Sequence, residues 1–111
     1  MAWTAVARVD QIDEEDVVEV AVGDRILALY HTKNGYFVSD GICTHERAHL
    51  ADGLVIGNII ECPKHQGRFD VRTGEPKGAP VCIPLTTYPT QVVDDTIYAD
   101  LGAGGQTVTG V

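Results

Sequence analysis

The chain has 111 residues, 44% hydrophobic and 22% charged, a size and composition that suit one folded domain and exclude wholesale disorder. Sixteen acidic and eight basic residues give a formal net charge of −8, which disfavours binding to nucleic-acid phosphates and anionic lipid; an acidic surface suits brief docking onto a basic patch instead. No apolar run approaches the roughly 18 residues of a membrane span, and Met1-Ala2-Trp3-Thr4 has neither the basic nor the apolar part of a leader, so a cytoplasmic location is expected. Three cysteines is an odd number, which argues against a closed disulfide framework.

In chain order the pattern is mostly β. Thr4 to Val9 reads as a first strand, with Trp3 as core or edge packing, and the acidic run Asp10 to Asp16 as a solvated loop or single helical turn. Val17 to Val22 is rich in β-branched residues and ends at the turn dipeptide Gly23-Asp24. Ile26 to His31 is its expected hairpin partner, and Lys33-Asn34-Gly35 supplies an Asn-Gly turn into Tyr36-Phe37-Val38. From Gly41 to Pro84 the character changes, as Gly, Pro, Cys and His gather between short apolar runs. Leu54 to Ile56, Ile59 to Glu61 and Arg68 to Val71 have room only for short strands; Arg72 to Glu75 reads as a turn and Pro76 to Pro80 as a loop. Strands return at Leu85 to Val93 and Thr96 to Leu101, flanking a turn at Asp94-Asp95, and no long 3.6-residue periodicity appears. The expectation is an all-β domain over residues 1–103, with a loop-rich subdomain of about 41–84 inserted in a β base, and a flexible tail at 104–111.

The insert holds the chemistry. Cys43-Thr44-His45 is followed by 16 residues and then by Cys62-Pro63-Lys64-His65. Two thiolates and two imidazoles make a complete set of four ligands for a soft or borderline metal. A structural zinc ion with Cys₂His₂ ligation is one candidate, although zinc sites of that type usually pair Cys with Cys and His with His. The other is a [2Fe–2S] cluster in which two His replace two Cys on one iron. Mixed pairs suit it, because each loop then places Cys on one iron and His on the other. Two ferric ions, two sulfides and two thiolates sum to a neutral oxidised core, whereas four thiolates leave the core doubly negative. An electron enters a neutral core more easily, so histidine ligation raises the potential, to roughly −150 to +300 mV.

These segments resemble the Rieske family motif, C-x-H, about 16 residues, C-x-x-H. Leu50, Asp52, Gly53, Gly57, Gly67, Phe69, Asp70, Thr73 and Gly74 extend the likeness, and Gly78-Ala79-Pro80 resembles the proline loop that covers the cluster in that family. The resemblance is strong over roughly Tyr36 to Leu85. It implies a Rieske fold, an antiparallel β-sandwich base with a small cluster-binding subdomain. It also implies one Rieske-type [2Fe–2S] cluster on Cys43, His45, Cys62 and His65, with the two histidines at the exposed edge. High-potential Rieske proteins of respiratory and photosynthetic complexes add a disulfide between the two loops, but Ala48 and Lys64 occupy those positions here. Those proteins also present Ser and Tyr hydroxyls to the cluster sulfurs, where this chain has Gly67 and Phe69, so a lower potential is expected.

This pattern resembles the Rieske ferredoxins of bacterial ring-hydroxylating oxygenase systems, and the run Cys62 to Asp70 is also close to a rhizopine-catabolism subgroup. The implied role is a monomeric one-electron carrier, not an enzyme, between a flavin-dependent ferredoxin reductase and a terminal oxygenase of aromatic-compound catabolism. Two other readings stand beside it: the small Rieske-like subunit of an assimilatory nitrite reductase, many of which lack the full ligand set, and a structural zinc module. His31 and His49 lack ligand spacing and read as surface residues, and Cys82, in the apolar run Val81-Cys82-Ile83, reads as a buried inert thiol. Glu46 and Arg47 depart from the family's small residues, as a partner-tuning rim or as solvated side chains. Lys64 is a docking contact or a solvated side chain.

Overall fold

A computed structural model describes residues 2–44, 47–64, 67–78 and 83–103. Among the described residues ten strands form three antiparallel sheets, and the helical content is limited to 3₁₀ turns such as Val9–Gln11 and Leu50–Asp52. The strands are β1 (Trp3–Arg8), β2 (Asp16–Val22), β3 (Arg25–Thr32), β4 (Gly35–Asp40), β5 (Leu54–Ile56), β6 (Ile59–Glu61), β7 (Arg68–Asp70), β8 (Thr87–Tyr88), β9 (Thr90–Val93) and β10 (Thr96–Asp100). The sheet orders are β1-β10-β9, β2-β3-β4-β8 and β5-β6-β7. The all-β expectation holds, and the three short strands of the insert fall within one residue of their expected bounds.

The middle sheet carries the architecture. Side chains alternate along a strand, so β3 offers Leu27 and Leu29 to one face and Ala28 and Tyr30 to the other, and all four are at most 1% exposed. Leu27 and Leu29 join Val38, Tyr88, Ile97, Ala99 and Ile12 in a core between the middle sheet and β1-β10-β9. Ala28 and Tyr30 join Val17, Cys43, Leu50, Val55, Ile60, Cys62, Phe69, Val71 and Leu85 in a second core, which seats the insert. The register agrees: Val18 opposite Leu29 and Val38 opposite Leu29 face the first core, while Val17 opposite Tyr30 faces the second.

Turns follow from local chemistry. Gly23 occupies the first position of the two-residue β2–β3 turn with φ +62, as a hairpin of the II′ kind requires. At the β3–β4 turn the loop residues are Lys33 and Asn34, and Gly35, with φ +130, opens β4. Asp94 and Asp95 both take the left-handed region, at φ 51 and 65, which short Asp side chains tolerate. One expectation needs correcting. Leu85 to Val93 is not one strand, because Pro89 has no N–H to give a ladder. It separates β8, which pairs with β4, from β9, which pairs with β10, so the chain changes sheet at that residue. His31 also differs from a free surface residue: its ring stacks on Tyr36 at 4.2 Å and its Nδ1 is buried with no hydrogen-bond partner. Trp3 lies on β1 opposite Asp100 and is 38% exposed, an edge position.

The insert is tied to the base by polar contacts as well as by the core. Glu15, held at φ 62, accepts the Gly57 N–H on its carboxylate at 2.9 Å, and the Asn58 side-chain amide donates to Asn34 Oδ1 at 2.8 Å. The β5–β6 turn is thereby pinned to two base loops.

Two glycines separate steric need from conformational need. Gly74, at φ +83, sits so close to Leu85 that an added Cβ would lie 2.2 Å from its carbonyl oxygen, whereas Gly57, at φ +61, has open space beside it. Gly57→Ala should therefore cost only the left-handed penalty of about 1–2 kcal/mol. Gly74→Ala should cost clearly more, by a further 1 kcal/mol or so, because backbone must move. Urea unfolding of the two variants measures the difference.

Candidate metal centre

The two loops that carry the expected ligands are built alike. The Cys43 N–H donates to the Ala48 carbonyl at 2.9 Å, and the Cys62 N–H donates to the Gly67 carbonyl at 2.6 Å. Each cysteine thus closes a loop on the residue five positions ahead, and each stands at the loop's buried base, Cys43 4% and Cys62 1% exposed. β4 leads through Gly41 into the first loop, where the Gly41 N–H bonds Ile26 and the Leu50 N–H returns to Gly41. β6 leads directly into Cys62, and β7 takes the chain away after Gly67. The backbone N–H of Lys64 points at Cys62 Sγ, 3.4 Å away. A donor aimed at a sulfur favours its thiolate form, the form that binds metal.

His45, His65, Glu46, Gln66 and residues 79–82, including Cys82, lie outside the described residues. The structure brings Cys43 and Cys62 into one core, and the histidines follow them by two and three positions in sequence. Ala48 is buried in the same core, Lys64 and Arg47 are exposed, and Phe69 is fully buried without a hydroxyl. A pair of buried cysteines at the bases of two loops that close in the same way fits a metal cluster clamped from both sides.

Polar support surrounds this floor. Ser39 donates to the Asp40 carbonyl at 2.8 Å, so the 2.8 Å contact between Tyr30 and Ser39 has the Tyr30 hydroxyl as donor. Burial chiefly, with the Cys43 charge adding to it, drives the Tyr30 pKa well above the ordinary tyrosine value. Tyr88, pushed up to about 12 mainly by burial, hydrogen-bonds Asp40 at 2.5 Å. Asp70 closes β7: its carboxylate takes Nε and Nη2 of Arg72 at 3.1 and 2.9 Å and also the Arg72 backbone N–H at 2.9 Å. Those hydrogen bonds from Arg72 hold the Asp70 pKa below the usual carboxylate range. None of these partners has a sequence spacing that would have marked it, apart from the two-residue step from Asp70 to Arg72.

His49 is exposed but not free. Its Nδ1 meets Glu19 Oε1 at 2.6 Å, joining the first loop to β2. The hydrogen bond to Glu19 is the main reason its pKa is raised above the ordinary value.

With the geometry in place, comparison with known proteins identifies it. Residues 2–89 match the Rieske [2Fe-2S] domain. The chain is 40% identical over 99 residues to the ferredoxin component of a naphthalene 1,2-dioxygenase system of Pseudomonas aeruginosa, covering 89% of this chain and 95% of that one. Among solved structures it is similar to the Sphingomonas yanoikuyae B1 ferredoxin, with TM-score 0.83, 38% identity and coverage of 87% of this chain and 96% of that one. It is also similar to a chain in a complex of reduced oxygenase and oxidized ferredoxin in carbazole 1,9a-dioxygenase, with TM-score 0.82, 31% identity and coverage of 88% and 92%. The chain belongs to the Rieske [2Fe–2S] family, and its cofactor is one Rieske-type [2Fe–2S] cluster. Within that family it is a ferredoxin of the kind found in aromatic-ring oxygenase systems, an electron-transfer component rather than a catalyst.

Two measurements test these contacts. A histidine whose folded pKa is raised contributes stability that is present below its unfolded pKa, about 6.5, and is lost as pH rises through the folded value. The native protein should therefore lose some stability as pH rises above about 6.5 and through the raised folded value, and His49→Gln should flatten that part of the profile in urea unfolding followed by pH. For Asp70, whose pKa is lowered, the sign reverses: its contribution is present above the unfolded pKa and lost as pH falls through the folded one. Asp70→Asn should cost about 1–2 kcal/mol at pH 7, read as a shift of the urea midpoint, and the cost should shrink in acid.

Proposed function

We propose that this chain carries single electrons from a flavin-dependent ferredoxin reductase to a terminal oxygenase that hydroxylates aromatic rings. Cys43, His45, Cys62 and His65 are its cluster ligands in this reading. The observation that carries it is the matched pair of buried cysteines, each closing its loop with its own N–H. The cluster, when bound, accepts and returns one electron. The protein's part is to hold two thiolates in a dry core and to donate the Lys64 N–H to one of them. With all four ligand positions filled from the chain, no coordination position is left for a substrate, which is what an outer-sphere carrier needs. The oxygenase therefore sets the substrate.

The 40% identity to a dioxygenase ferredoxin component over nearly the whole chain favours this reading over a nitrite reductase small subunit. Family membership favours iron and sulfide over a structural zinc ion. Brief docking, a monomeric state and a cytoplasmic location complete the proposal. No helix among the described residues is long and apolar enough to cross a membrane.

Reconstitution is the direct test. The purified protein should be brown-red, contain iron and acid-labile sulfide in equal amounts, and restore NADH-driven turnover when added to a ferredoxin-depleted reductase and ring oxygenase. Iron and sulfide near zero on folded protein would end the proposal. Ligation is tested by potential. His65→Cys adds a negative thiolate, so the midpoint should fall toward the about −400 mV of all-cysteine clusters, and an unmoved midpoint would remove His65 from the ligand set. With Phe69 lacking a hydroxyl and no cysteine at Ala48 or Lys64, the native midpoint should sit low in the roughly −150 to +300 mV span, as protein-film voltammetry reads it.

A further inference from the structure

Thr44 stands between two of the proposed ligands, Cys43 and His45. Its hydroxyl donates a 2.7 Å hydrogen bond to the carbonyl oxygen of Ile83, 39 residues further along. The first loop does not need this bond to close, since the Cys43 N–H to Ala48 carbonyl bond already does that. The bond joins the loop to a piece of chain that is itself firmly held. Leu85, two residues on, is fully buried, and its N–H donates to the Gly74 carbonyl at 2.9 Å. The Gly74 N–H in turn donates to the Asp70 carbonyl at 2.7 Å, and the Asp70 carboxylate carries the Arg72 fork. Ile83 lacks such packing of its own, for its side chain is 59% exposed. Among the described residues, the Thr44 hydroxyl is the hydrogen-bond donor to the Ile83 carbonyl.

We infer that Thr44 is a positioning residue whose hydroxyl fastens the Cys43–His45 ligand loop to the Ile83–Leu85 segment, keeping that loop in one geometry while the cluster's charge changes. The inference rests on the ligand assignment proposed above. One such bond is too weak to decide whether the domain folds, but a contact one residue from two ligands governs how easily they move away from the metal. Valine matches threonine in shape and lacks the donor; serine keeps the donor and drops the methyl group.

The test uses Thr44→Val, Thr44→Ser and Cys43→Ser as full-length holoproteins, with cluster loss followed by the bleaching of visible absorbance under air and the reduced state by electron paramagnetic resonance. Thr44→Val should lose its cluster about five-fold faster than the native protein, the equivalent of one hydrogen bond of about 1 kcal/mol, with altered g values. Thr44→Ser should restore both. Recovery of Thr44→Ser but not Thr44→Val as holoprotein has the same meaning. Equal lifetimes and spectra for Thr44→Val and native protein would overturn the inference, as would equal impairment of the valine and serine variants. Cys43→Ser should retain no native-like cluster; a cluster of unchanged spectrum and potential there would instead remove the ligand assignment on which the inference rests.

Discussion

A β-strand sends alternate side chains to opposite faces, and in β3 both faces are filled. Leu27 and Leu29 serve the base core while Ala28 and Tyr30 serve the core beneath the cysteine loops, so a one-residue slip of β3 would exchange the two sets. The register is continuous from Arg25 to His31 with β2 and from Leu27 to Thr32 with β4, which guards against that slip. Because Tyr30 and Ala28 share a core with Cys43 and Cys62, the position of the cysteines is referenced to an interior strand of the middle sheet. The polar line from Tyr30 through Ser39 to the Asp40 carbonyl fixes the end of β4 from which the first loop departs.

The charge of −8 takes on a different meaning once it is placed on this frame. Within residues 41–84 five acidic and five basic residues cancel, so the whole surplus belongs to the base. Asp10, Asp13, Glu14, Glu15 and Asp16 lie in or beside the loop before β2, and Asp94 and Asp95 form the β9–β10 turn, whose Asp95 carbonyl accepts the Val9 N–H. Acidity is thus concentrated on the part of the protein that does not hold the cysteines. A neutral insert is also the setting in which one added electron changes the local charge most in proportion, which suits a site whose redox state a partner must sense.

Much of this was legible in the sequence because it depends on local rules. β-branched content placed β2; the turn signals at Gly23-Asp24 and Asn34-Gly35 placed β3 and β4 after it; the mixed Cys-His pairs favoured a Rieske cluster over an ordinary zinc site. Pro89 was legible too, as a residue that a continuous strand does not accommodate, and it is where one expected strand divides between two sheets. The contacts that escaped reading are those joining distant parts of the chain: Thr44 to Ile83, His49 to Glu19, and Gly57 to Glu15. Each uses a residue type that is ordinary on a surface, and only the folded arrangement gives it a partner. His31 shows the same limit from the other side, since stacking on Tyr36 turns an apparently free surface histidine into a partly buried one.

Those distant contacts share a purpose that the ligands alone do not explain. A thiolate and an imidazole two or three residues apart on one loop would follow any motion of that loop, and an electron carrier works best when its site changes little between oxidised and reduced states. Here the loops are braced from several directions: by their own cysteine N–H groups, by His49 on Glu19, and by Thr44 on Ile83. The first-loop braces are side-chain bonds to separate elements, one to β2 and one to the segment before β8, so neither element can shift without straining the loop. The second loop has a different support. It runs straight out of β6 into β7, two strands paired from Ile59 to Asp70, so its two ends are held together by a ladder. Among the described residues, then, side chains tie the first loop across the fold, and the hairpin that carries the second loop holds its ends.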